Sequence, residues 1–186
     1  MIIQKWFDSN YLRLNLNKTK YTMFRNSGCV NIELDSVQIS SCNEFKFLGL
    51  HIQSDLKWHT QTSILAKKLA SACYALRVTT ENVGTELAKT VYHALFESHL
   101  RYAVPCWGFA TQTELDVLFI LQKRAMRIIT KSQYDAHCRP LFKQSRILSL
   151  YSFFVLEMVC LIHKHKRIRS AKRFRYCFAN TKNGVH

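Results

Sequence analysis

The chain has 186 residues, enough for one ordinary domain or for two small lobes sharing an interface. With 48% apolar residues it can bury a core, which excludes wholesale disorder. Its 27 lysines and arginines against 12 acidic residues give a formal charge of +15, which favours a polyanionic partner: nucleic acid first, an anionic membrane surface second, with a merely soluble basic protein as the plainer reading.

Only 5 glycines and 2 prolines predict regular elements, few loops and mostly helix. The 7 cysteines are odd in number and contain no C-x-x-C pair, so they read as reduced, buried thiols rather than a disulfide framework. Gln4, Lys5 and Asp8 interrupt any signal-peptide core. The apolar run Ile147 to Ile162 is short for a bilayer and carries Glu157, so a buried helix is expected there. A nuclear or cytoplasmic protein follows, with no membrane as partner.

In chain order, Ile2, Ile3, Trp6 and Phe7 have helical spacing, and that helix enters without a cap, as if continuing from something longer. Leu12, Leu14 and Leu16 alternate, predicting a half-buried strand, and Tyr21 to Phe24 predicts a second. Asn26-Ser27-Gly28 reads as a turn. Ile32 and Leu34, then Val37 and Ile39, read as a small hairpin. Glu44 to Ile52 reads as a strand that breaks at Gly49 and resumes. From Trp58 the period becomes helical: Leu65, Leu69, Ala72, Cys73 and Leu76 share one face, and a second helix after a loop near 79–85 carries Ala88, Tyr92 and Phe96. A third helix, predicted from Thr113, has Leu118, Leu121, Ala125, Ile128 and Ile129 as its apolar stripe. Lys123, Arg127 and Lys131, at i, i+4 and i+8, line the opposite side with Arg124 beside them. Pro140-Leu141-Phe142 is expected to interrupt before the last helix, and the tail turns basic from Lys164.

Few of these residues suit chemistry. Cys160 and His163 stand three apart without the second ligand pair that a structural zinc site needs, so core packing is the better account. There is no Gly-x-Ser-x-Gly and no phosphate-cradling glycine loop. Asp35 and Asp55 lack an acidic neighbour for a two-metal pair. The face of Lys123, Arg124, Arg127 and Lys131 suits a phosphate backbone running past one helix, its alternative being a solvated face. The tail could add charge or serve nuclear localisation. Phe47, Trp58, Phe174 and Tyr176 lie near basic residues and could stack on bases or pack.

Taken in order, these pieces resemble a family. Trp6-Phe7, Asn10, Leu12-x-Leu14-Asn15, Lys18-Thr19 and Phe24 are similar to the segment just downstream of the catalytic aspartates in jockey-like non-LTR retrotransposon reverse transcriptases. Lys46-Phe47-Leu48-Gly49 with Leu56-x-Trp58-His59 resembles the primer-grip block. Tyr92, Ser98, Leu100, Tyr102, Trp107-Gly108, Leu121 to Ile129, His137, Pro140-Leu141-Phe142 and Ile147-Leu148 resemble the helical thumb.

The resemblance implies an α+β fold: a small antiparallel palm remnant over 1–57, a helical thumb over 58–166, and a basic tail without fixed structure over 167–186. It implies that Lys18 lies near the phosphates of an incoming nucleotide, where an ammonium can stabilise charge and donate a proton. Phe47, Leu48 and Gly49 would form the primer grip, with apolar anchors and a glycine where nucleic-acid backbone comes close. Lys123, Arg124, Arg127 and Lys131 would follow a template–primer of RNA or DNA. The family's Ala-Asp-Asp turn is absent from this sequence, so the chain by itself is expected to be inactive as a polymerase. No cofactor or small-molecule substrate is expected of it, Mg²⁺ belonging with the missing motifs. A stand-alone RNA- or DNA-binding protein and a non-functional retroelement remnant are the alternatives.

Overall fold

The computed structural model describes residues 2–24, 30–34 and 37–164. The layout is α+β, with helices dominant and two separate two-stranded antiparallel sheets. The basic tail 167–186 and the turn at 26–28 lie outside the described residues.

Helix α1 (Ile2–Ser9) forms where the apolar spacing predicts it. The two strands expected over 11–17 and 21–24 do not form. Asn15 offers the backbone a local alternative to a ladder: its Oδ1 accepts from Lys18 N at 3.2 Å and its carbonyl accepts from Thr19 Oγ1 at 2.7 Å. The result is a single 3₁₀ turn, Leu16–Lys18, with Leu12 left exposed. Tyr21 reaches only an isolated bridge to Ser41.

The first hairpin pairs β1 (Ile32–Leu34) with β2 (Val37–Ile39), burying Leu34 and Ile39. The second pairs β3 (Glu44–Phe47) with β4 (Leu50–Gln53), in register Phe47 to Leu50 and Glu44 to Gln53. Its two-residue loop is Leu48-Gly49, at φ 47° and 83°. Positive φ at both central residues is what a type I′ hairpin turn requires.

The core lies in the helices that follow. Helix α2 (His59–Asn82) buries Leu65, Leu69, Cys73 and Leu76 along one face. It continues through the loop expected near 79–85 and breaks only at Gly84, where φ is 99°. Helix α3 (Thr85–Val91) runs into a π-helical stretch, Tyr92–Glu97, and then α4 (Ser98–Arg101). This composite helix buries Ala88, Tyr92, Phe96 and Leu100. The short α5 (Val104–Trp107) buries Trp107, whose indole donates to the Tyr102 carbonyl at 2.8 Å.

Helix α6 (Gln112–Ile129) starts one turn's edge earlier than predicted, with Thr111 as N-cap; the Thr111 N–H donates to Glu114 Oε2 at 3.0 Å in a capping box. Burial pushes the Glu114 carboxyl up, but hydrogen bonds from Thr111 and His59 outweigh it and hold the group below its usual range. Its inner face is Leu115, Leu118, Gln122, Ala125, Met126 and Ile129, rotated from the expected stripe, and Leu121 and Ile128 are only half buried.

Pro140 does not interrupt a helix but opens one. It lies in the first turn of α7 (Cys138–Ser145), where an N–H has no helical partner to lose. Helix α8 (Leu150–Lys164) follows, and it is not the buried helix expected. Only Leu150 and Phe153 are fully inside, while Val155, Leu156, Val159 and Leu161 face outward. Among the described residues no single helix is long and apolar enough to cross a membrane. Nor are the cysteines uniformly buried: Cys73 and Cys138 are, whereas Cys106 and Cys160 are exposed.

Candidate nucleic-acid interface

The second hairpin is fixed to the bundle at both ends. At its open end, Gln61 Oε1 accepts the His51 N–H at 3.0 Å, Gln53 Oε1 accepts the Thr60 N–H at 3.1 Å, and Thr60 Oγ1 donates to Glu44 at 3.0 Å. The first turn of α2 thus gives its otherwise orphaned Thr60 amide to the sheet. At the tip, the Tyr102 hydroxyl donates to the Leu48 carbonyl. Leu50 is buried and Ile52 packs on the core, so these two side chains of β4 anchor the ribbon.

That differs from the expected anchoring by the tip residues. Phe47 and Leu48 are not anchors, being 58% and 74% exposed. Within the chain a Cβ at Gly49 would meet the Tyr102 hydroxyl at 3.7 Å and Cε1 at 3.8 Å, ordinary contacts. Its φ of 83° is the reason for glycine. Leu48 occupies the left-handed region without that freedom, at a cost of about 1 kcal/mol. Leu48→Asn, giving the favoured Asn-Gly pair and losing little burial, should therefore raise stability by about 1 kcal/mol. Urea unfolding measures this, and a midpoint at or below that of the parent would show that the turn is not under strain.

Beside the tip lies a shallow cavity of about 500 Å³, lined by His93, Glu97, Arg101, Tyr102 and Glu157 among others. Arg101 pairs with Glu157 at 2.5 Å and with Glu97 at 3.5 Å, and its guanidinium sits 5.6 Å from the Phe153 ring centroid. One guanidinium faces two carboxylates here, so the group fastens α4 to α8 and offers no net positive charge to a phosphate.

The basic face on α6 is differently built. Arg124 is exposed on it. Lys123 lies over the Phe119 ring at 4.5 Å, and Arg127 Nε donates to the Ala136 carbonyl at 3.1 Å. Lys131 is not on the helix, contrary to the i, i+4, i+8 alignment. It sits past the end at φ 50°, where Lys131 N donates to Ile128 O and Ser132 N to Arg127 O. This is a Schellman stop with lysine in the usual glycine position. Three of the four expected cations share α6 and the fourth caps its end. Among the described residues none of the four forms an ion pair with a carboxylate.

Helices α2 and α6 start together, through His59 Nδ1 and Glu114 Oε1 at 2.8 Å, and still touch farther on, where Cys73 Sγ lies 3.6 Å from the Leu121 carbonyl. Burial pushes the Cys73 thiol up to about 11, while Arg124 and then Arg77 pull it down. Arg77, exposed on α2, is thus a second cation near the thiol besides Arg124, a neighbour that reading α6 alone misses. One helical turn beyond Cys73, it was findable only once Cys73 faced α6.

Lys18 is not brought to this region. It is exposed in the 3₁₀ turn, which packs against β2. Among the described residues no three His, Cys, Asp or Glu side chains gather where a metal ion could be held. The chain matches no protein-family model, no curated protein and no solved structure.

Proposed function

We propose that this chain is the part of a non-LTR retrotransposon reverse transcriptase that follows the catalytic carboxylates, the end of the palm and the thumb, and that it holds template–primer nucleic acid without catalysing polymerisation alone. The observation carrying this reading is the cationic surface of Lys123, Arg124, Arg127 and Lys131, none of which forms an ion pair among the described residues, on the same bundle that seats the Leu48-Gly49 hairpin. A formal charge of +15 gives it a supporting field. The apolar tip residues, exposed and held in place from behind, suit contact with the sugar and base edges of a primer end. Lys18, exposed in its 3₁₀ turn, would meet a nucleotide only with the rest of a palm in place.

Binding of a labelled RNA–DNA duplex, followed by anisotropy across a salt series, tests the reading. Affinity should fall steeply with salt, each phosphate contact adding roughly 0.9 to the slope of log K against log salt. The triple variant K123A/R124A/R127A should lose on the order of 100-fold at 0.1 M salt and flatten that slope by about 2–3. Unchanged affinity in the triple variant would remove the interface.

A further inference from the structure

We propose that Tyr134, in the turn between α6 and α7, is a stacking platform for an unpaired base of single-stranded nucleic acid. The inference rests on the nucleic-acid reading above and extends it from the duplex to the strand that leaves it.

Tyr134 is 90% exposed, although tyrosine ordinarily buries much of its ring. One face of the ring is backed by Arg127, whose Cζ lies 5.9 Å from the centroid. That guanidinium is itself held, because its Nε donates to the Ala136 carbonyl within the same turn. The ring is thus braced on one side by a fixed cation and open to water on the other. A base laid on the open side would complete an Arg–Tyr–base stack, which needs no hydrogen-bond readout and so tolerates any sequence.

The surroundings supply the charge for the accompanying phosphates. Lys131 is exposed at the start of the turn and Arg139 is exposed in the first turn of α7. Asp135 is the opposing charge beside Tyr134; it too is exposed and forms no ion pair among the described residues. A backbone tracking Arg124 and Arg127 toward the end of α6 would run directly into this turn. Arg127 then has two tasks, meeting phosphate and supporting the ring.

The test compares two probes, a blunt RNA–DNA duplex and the same duplex with a short single-stranded overhang. Tyr134→Ala should weaken binding of the overhang probe about tenfold and of the blunt probe less than about twofold, with circular dichroism unchanged. Tyr134→Phe should bind as the parent does, and Tyr134→Trp should bind the overhang with quenched indole emission. The proposal is overturned if Tyr134→Ala binds both probes like the parent, or loses both equally. If the parent binds neither probe, the nucleic-acid reading falls and takes this one with it. If the parent binds the blunt duplex through Arg124 and the overhang adds nothing, the platform alone falls.

Discussion

Replacing Gln122 by leucine should destabilise the protein by about 3–4 kcal/mol, despite putting an apolar residue into an apolar core. Gln122 is fully buried and makes three hydrogen bonds: its Nε2 donates to Tyr92 Oη at 3.0 Å and to the Leu148 carbonyl at 2.9 Å, and its Oε1 accepts the Leu150 N–H at 2.8 Å. The Leu150 amide is the first of α8, so one side chain on α6 caps another helix and ties it to the π-helical stretch. Leucine would leave the Tyr92 hydroxyl and the Leu150 amide in the interior without this bond, each at roughly 1–3 kcal/mol, and would take one more from the part-buried Leu148 carbonyl, partly offset by the added apolar contact. Against a total stability on the order of 5–15 kcal/mol the loss is large. Burial already pushes the Tyr92 phenol far above its usual range, so the hydroxyl cannot escape by ionising. Equilibrium urea unfolding gives the value. A loss under about 1 kcal/mol would mean that water replaces the amide.

Alanine at Gly108 should cost about 3 kcal/mol and lower the melting temperature by roughly 6–12 °C. Here φ is −64°, so the conformation permits any residue, and the obstacle is space. An added Cβ would lie 2.4 Å from Phe154 Cδ2 and 2.6 Å from the Val104 carbonyl oxygen. The ring could turn aside, but the carbonyl cannot, since it accepts the Gly108 N–H at 2.8 Å. The end of α5 would have to lift off α8. Coupling with Phe154→Ala separates the two contacts: the double variant should recover the part due to the ring and keep the part due to the carbonyl. Additive losses would place the cost elsewhere.

Much of the helical bundle was legible in the sequence because its spacing is regular. Leu65, Leu69, Cys73 and Leu76 announce the inner face of α2, and the change of period at Trp58 marks where sheet gives way to helix. The face of α6 differs from the expected stripe by a fraction of a turn, with Gln122 and Met126 inside in place of Leu121 and Ile128. Gln122 stands at helical spacing between Leu118 and Met126, which was the available signal. The expectation of few loops and mostly helix holds, although few of the bends fall at glycine. Tyr11, Leu48, Leu56, Trp58, Ala103, Lys131 and Arg146 all have positive φ among the described residues, so residues that seldom adopt that conformation hold the bends. Local propensity carries no trace of such sites. Burial of α8 could not be read from composition, because a uniformly apolar helix has no polar face to say which side meets water.

For the interface, sequence supplied the cations but not their company. That Lys123 leans on Phe119, that Lys131 leaves the helix and that Arg77 joins from α2 depend on how α6 rolls against its neighbours. A periodic pattern fixes a face only to within a residue or so.

The π-helical stretch at Tyr92–Glu97 has a consequence for insertions and deletions. Four residues overshoot one α-turn and fall short of one π-turn, so mixing the two keeps Tyr92, Phe96 and Leu100 in phase along one inner line. Deleting any one residue there would restore an ordinary helix at no loss of hydrogen bonding. Leu100 would then stand seven residues from Tyr92, two turns of an ordinary helix, and would stay within about 20° of the inner line, so the Tyr102 hydroxyl would keep its partner, the Leu48 carbonyl. The stretch thus takes up one residue: the helix should tolerate a deletion there, whereas a deletion elsewhere between Tyr92 and Tyr102 would turn the hairpin's seat by about 100°.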